Sequence, residues 1–187
     1  KRKTNHKYNL LCHRYFMRSL GWGIITAATI YLASLVLPEN ETPWIAFFII
    51  MLYTLMEIDK RMLLLPDILT VPLLIVGFSY AVFAGGMLGY EPAASAANSA
   101  LGAAAGYVIP VIASLFLIKK YPEAFGGGDI KLLSAVGSWV GLTNIPYVIL
   151  LSCLLFAVSC FINKQRQGAF GPSIVIASLI ILFLSEY

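Results

Sequence analysis

The sequence predicts an all-α, polytopic membrane protein of about seven transmembrane helices with its N-terminus in the cytoplasm. Three observations carry this. The 187 residues are 59% hydrophobic and 12% charged, whereas a soluble domain carries about 25% charged residues. The apolar residues form continuous runs rather than alternating, and in lipid only helices or closed barrels satisfy the backbone, so the runs are helices. The charges are segregated: with seven crossings, all 13 Lys and Arg fall on one side, which marks that side as cytoplasmic.

The elements follow in order. Lys1, Arg2, Lys3, Lys7, Arg14 and Arg18 make residues 1–19 a basic cytoplasmic tail ahead of a membrane domain at 20–187. No small-residue cleavage site of a secretory signal stands out after it. Gly21–Leu37 is the first span, ended by the breakers from Pro38 to Pro43. Trp44–Ile58 is the second, followed by Lys60 and Arg61. Pro66-Asp67 opens Ile68–Tyr90, and Gly89-Tyr90-Glu91-Pro92 separates it from Ala93–Ile118. The loop from Lys119 to Gly128 leads to Ile130–Leu142, and Thr143 to Pro146 divides that span from Ile145–Ile162. Asn163 to Gly168, with Lys164 and Arg166, precedes Ala169–Leu184. The opposite side carries Glu39, Glu41, Glu91 and Glu186. The net charge of +4 is thus explained by topology and the lipid bilayer, and no nucleic-acid partner is expected.

Helix packing is written in small residues. Gly102 and Gly106 form a G-x-x-x-G face, and Gly137 and Gly141 repeat the spacing; both suit close intramolecular approach of helices. Asn98 is expected to make an interhelical hydrogen bond. Cys153 and Cys160 lie on one helix about 10 Å apart along its axis, too far for a disulfide, and are both expected in buried apolar packing. His6, Cys12 and His13 are too loosely spaced to make a metal site, so neither metal nor cofactor is expected.

Asp59 and Asp129 carry the chemistry. Each sits where an apolar run meets positive charge, and ionisable groups at membrane depth are costly enough to imply function. Both belong to the cytoplasmic ends of the two shortest spans, which cover only ~20–23 Å of a ~30 Å hydrocarbon layer; the carboxylates are therefore expected slightly below the interface. Two carboxylates sharing a proton can hydrolyse a peptide bond by activating water. Gly126, Gly127 and Gly128 can adopt positive φ and let an extended substrate backbone approach, or form a plain flexible loop before an N-capping Asp129. Asp67, after Pro66, is expected to be a helix N-cap rather than catalytic. Glu57 and Glu123 are loop charges or attract a basic substrate segment. The only histidines are His6 and His13, so a Ser-His-Asp site in the membrane is not available, and no H-E-x-x-H is present.

Ile58-Asp59-Lys60-Arg61-Met62-Leu63-Leu64-Leu65-Pro66-Asp67 together with Gly126-Gly127-Gly128-Asp129-Ile130-Lys131 strongly resembles the type IV prepilin peptidase family. The family's G-x-G-D signature matches Gly126 to Asp129, its first catalytic aspartate matches Asp59, and Asp67 matches a position where relatives carry Asp or Asn. Gly168-Ala169-Phe170-Gly171-Pro172 looks like the family's Pro-Phe-Gly-Pro turn, with Ala169 replacing the first Pro. The resemblance covers about Leu20 to the C-terminus. It implies an aspartic endopeptidase of the bacterial inner membrane that removes basic leaders from prepilins or pseudopilins at the cytoplasmic face. Many members also carry a cysteine-rich segment linked with N-methylation. Only Cys12 precedes the first span here, so the chain is expected either to be a peptidase-only member or to lack an N-terminal part. Rival expectations are a preflagellin-type or other G-x-G-D protease, an ion-coupled transporter using the aspartates as a cation or proton site, and a non-catalytic assembly subunit. The oligomeric state is not specified by the sequence.

Overall fold

Long apolar runs with few charges leave the helix as the element that satisfies its own backbone in lipid. A computed structural model describes residues 21–36, 39–85, 91–117, 126–164 and 168–184, and among these all regular structure is helical. The helices are α1 Gly21–Val36, α2 Thr42–Met62, α3 Asp67–Ala84, α4 Pro92–Leu117, α5 Gly127–Asn163 and α6 Gly171–Leu184. By length and composition α2, α3, α4 and α5 can each cross a membrane, and α1 and α6 are shorter apolar helices. The chain is a multi-pass membrane protein. The basic tail with His6, Cys12 and His13, and the positions Lys119, Lys120, Glu123, Arg166 and Glu186, lie outside the described residues.

The chain divides within α2 into two compact units, residues 1–53 and 54–187. In the first, Thr29 Oγ1 on α1 lies 3.1 Å from the Tyr53 hydroxyl, and the Trp22 and Tyr53 rings are 6.1 Å apart. In the second, α5 packs against α3, α4 and α6, and α3 also meets α4.

Residues Leu132 to Gly141 of α5 are buried without interruption, so this segment is sheathed on every side, as expected of a helix that is apolar all round. Small residues make the sheath tight. A Cβ at Gly102 would strike the Gly137 and Gly141 backbone, and one at Gly106 would strike that of Leu133. The predicted glycine faces thus meet each other within one chain. Side chains then bond across the contacts: Ser134 Oγ donates to the Ala103 carbonyl at 2.9 Å, Ser99 Oγ to Ser138 at 2.7 Å, and Trp139 Nε1 to Leu73 at 2.8 Å. Such bonds contribute about 0.6 kcal/mol each between membrane helices.

Three boundaries differ from expectation. First, α2 does not stop at Ile58 but runs to Met62. Glu57 accepts from Arg61 one turn on, at 2.6 Å, and basic residues in a last turn complement the helix dipole. The short-span argument for Asp59 therefore fails, because Asp59 lies inside the helix. Second, α3 ends at Ala84 because Gly85 takes the left-handed conformation, φ 82°, a standard helix stop. Third, the break expected at Thr143 to Pro146 is at Gly141, φ 75° and ψ 175°, which only glycine adopts readily. Asn98 supplies the expected interhelical bond there: its Oδ1 accepts from the Leu142 N–H at 2.9 Å and caps the segment that follows.

That break redirects the chain. A straight helix of this length would run about 55 Å. Instead Phe156, in the second segment, packs edge-on against Phe170 at 5.2 Å, and Phe170 immediately precedes a residue bonded to Asp59. The second segment of α5 therefore folds back towards the end of the unit that holds both aspartates.

Candidate active site

Asp59 occupies the last turn of α2 and is 4% exposed. Its Oδ2 accepts from the backbone N–H of Gly171 at 2.8 Å. Gly171 is the first residue of α6, so the carboxylate meets the positive end of that helix. The contact requires glycine: a Cβ at position 171 would lie 2.6 Å from Oδ2 and 3.0 Å from Cγ. The edge-on pair of Phe156 with Phe170 holds the turn that presents this N–H.

Asp129 lies in the first turn of α5, with Gly126 as the N-cap. The Asp129 N–H donates to the Gly126 carbonyl at 3.1 Å, and the Asp129 carboxylate accepts from the Gly126 N–H at 3.2 Å. The carboxylate therefore closes its own helix from the third helical position, and it is not the N-cap itself. The three glycines do not form a positive-φ loop either. Gly126 has φ −68° and Gly127 already begins the helix; positive φ among described glycines is confined to Gly85 and Gly141. Their lack of side chains still matters. A Cβ at Gly128 would come 2.9 Å from Leu65 Cβ, whereas one at Gly127 would meet nothing within 4 Å among the described residues. One glycine allows the α2–α3 connection to press on α5, and its neighbour is exposed.

Each carboxylate thus accepts from a backbone N–H at a helix N-terminus, Asp59 at that of α6 and Asp129 at that of α5. Each holds a structural bond through Oδ2, and among the described residues no hydrogen bond reaches Oδ1 of either. Next to Gly171, a cavity of about 200 Å³ opens, bordered by Lys60, Phe156, Asn163 and Pro172.

The other predicted residues fall into place differently. Asp67 is not an N-cap: that position is Pro66, with β-region φ and ψ and no capping side chain. Asp67 is the first helical residue, and its carboxylate takes both hydrogen bonds from Lys131 Nζ, at 2.8 and 2.7 Å. Lys131, expected only to mark topology, is therefore half of an ion pair. Glu57 is a helix residue paired with Arg61 at 2.5 Å rather than a loop charge. Glu123 lies outside the described residues. Sequence reasoning missed the contacts of Gly171 and Leu65. The signal for Gly171 was present in the turn Gly168-Ala169-Phe170-Gly171-Pro172, but nothing in that pattern names Asp59 as its partner.

Comparison with known proteins adds to this geometry. The family model of the type IV leader peptidase family matches residues 46–161. A prepilin leader peptidase/N-methyltransferase of Vibrio cholerae is 29% identical over 97% of this chain and 70% of its own length. The proteins of that name from Xanthomonas campestris and Neisseria gonorrhoeae are 42% and 30% identical over 67% and 72% of this chain. Of those two relatives the chain spans less than half, 44% and 46% of their lengths. No solved structure matches.

Proposed function

This chain belongs to the type IV leader peptidase family, and from that premise we propose that it is a membrane-embedded aspartic endopeptidase. Its substrates are prepilin or pseudopilin precursors, from which it removes the basic leader at the cytoplasmic face of the bacterial inner membrane. Asp59 and Asp129 are the catalytic pair. The observation that carries this is that two carboxylates, remote in sequence, each accept from a helix N-terminus, of α6 and of α5, while the connection that follows Asp59 packs through Leu65 onto Gly128 beside Asp129.

The chemistry follows from that arrangement. The Oδ1 atoms, which no fixed donor occupies among the described residues, hold the attacking water. One carboxylate, ionised, takes a proton as the water oxygen bonds to the scissile carbonyl carbon. The other, protonated, donates to the carbonyl oxygen. As the C–N bond breaks, the leaving amine receives a proton from the pair. The two groups titrate as a unit, so the roles belong to the dyad rather than to either residue. Gly127, with open space where a side chain would be, is the point at which a substrate backbone approaches. The lipid bilayer supplies the setting, since the leader's cleavage point sits beside a hydrophobic helix. The test is cleavage of a model prepilin by the parent and by Asp59→Asn and Asp129→Asn, each expected to be slower by at least about 10²-fold. Processing by either variant at the parent rate would remove that residue from the dyad.

A further inference from the structure

We infer that the Asp67–Lys131 ion pair is a positioning clasp that sets the spacing of the two catalytic carboxylates; this rests on the dyad proposed above. The argument is one of connectivity. Asp59 stands in the last turn of α2, and the chain then passes through the connection Leu63 to Pro66 into Asp67, the first residue of α3. Asp67 binds Lys131 through both oxygens, at 2.7 and 2.8 Å, and Lys131 lies two residues beyond Asp129 on the same first turns of α5. The pair therefore ties the start of α3, which follows Asp59 by one short connection, to the first turns of α5, which carry Asp129. Within that connection Leu65 presses on Gly128, where a Cβ would come within 2.9 Å of its own Cβ. The connection is held from both sides: Leu63 takes φ 51° and its N–H bonds the Asp59 carbonyl at 2.9 Å.

The clasp contributes little to stability by itself. The two side chains are 60% and 48% exposed, and exposed pairs contribute ~0–1 kcal/mol. Its consequence is geometric. Both bonds come from one ammonium, so the contact restrains the distance between the first turn of α3 and the first turns of α5, and misplacement of reacting groups by ~1 Å lowers rates about 10²-fold. A residue whose loss leaves the fold standing but moves one carboxylate away from the other is read in turnover, not in melting temperature.

The experiment uses the full chain in lipid nanodiscs with a model prepilin. Asp67→Leu and Lys131→Met, which remove one partner each, are expected to lower kcat about tenfold or more with KM within about twofold and thermal unfolding within about 2–4 °C of the parent. Asp67→Asn keeps an acceptor and Lys131→Arg keeps donors, so both hold kcat within about threefold. The double variant Asp67→Leu/Lys131→Met loses no more than the worse single, as required of two residues acting through one contact. Parent-level kcat in Asp67→Leu and Lys131→Met would overturn the clasp. So would equal losses in the conservative variants, or losses that follow a fall in thermal stability. Asp59→Asn and Asp129→Asn, run alongside, separate the two failures: if they are inactive while the clasp variants cleave normally, the dyad stands and the clasp does not.

Discussion

Gly171→Ala is the sharpest single perturbation of the proposed site, because the added methyl group would meet the Asp59 side chain itself. The new Cβ would lie 2.6 Å from Asp59 Oδ2, 3.0 Å from Cγ and 3.1 Å from Cβ. Ordinary contacts of this kind are about 3.5 Å, so the carboxylate and the α6 N-terminus must separate by roughly 0.5–1 Å. Rotation of Asp59 alone offers little relief, since the residue is 4% exposed. Overpacking of a buried site costs about 1–3 kcal/mol, which the fold can bear. The same displacement applied to a reacting group lowers its rate about 10²-fold. The expected outcome is a folded protein with kcat for leader cleavage down about 10²-fold, measured by gel shift of a model prepilin in nanodiscs. Gly23→Ala on α1, outside the proposed site, is the control, since its Cβ meets nothing within 4 Å among the described residues, and it should cleave within about twofold of the parent. Parent-level kcat in a folded Gly171→Ala protein would refute the argument that Gly171 fixes a catalytic carboxylate.

Two further outcomes test the scaffold around the site. Gly128→Ala brings a methyl against Leu65 Cβ at 2.9 Å, so it should lose about 1–3 kcal/mol in denaturant unfolding together with activity; Leu65→Ala in the same chain keeps the clashing Cβ and should recover neither. Asn98→Ala removes the acceptor for the Leu142 N–H, and loss of such a cap costs about 1 kcal/mol. The loss should appear as a lower unfolding midpoint with near-normal kcat at permissive temperature, because the cap lies at the Gly141 break and not at the aspartates.

Much of this fold was legible because lipid leaves so few options. Continuous apolar runs become helices, Gly102, Gly106 and Gly137 have no better use than close approach, and Asn98 in an apolar helix must find a partner. Boundaries were less legible where local chemistry overrides hydropathy. The Glu57–Arg61 pair carries α2 past Ile58 to Met62, and Gly85 stops α3 before the apolar run ends. The site was legible as residues and not as contacts. Asp59 and Asp129 stand out because charge beside lipid is rare. Which N–H each would accept depends on how α2, α5 and α6 meet, and no spacing along the chain encodes that. Asp67 illustrates the difference: a carboxylate after proline at a helix start fits a cap, but a lysine brought in by another helix took it instead.

The two carboxylates are held unequally, and this bears on how a substrate enters. Asp59 is enclosed: the last turn of α2 carries it, the α6 N-terminus caps it, and Gly171 leaves no space between them. Asp129 is half-buried, with exposed Gly126 and Gly127 beside it. A carboxylate as enclosed as Asp59 is tolerable only with a fixed dipole against it, and the α6 N-terminus supplies it. Asp129 depends on a single longer bond from Gly126, within the segment that a substrate backbone would approach. In the proposed dyad, substrate access is therefore expected along the Gly126–Gly127 side, towards Asp129, whose only carboxylate hydrogen bond among the described residues is to Gly126.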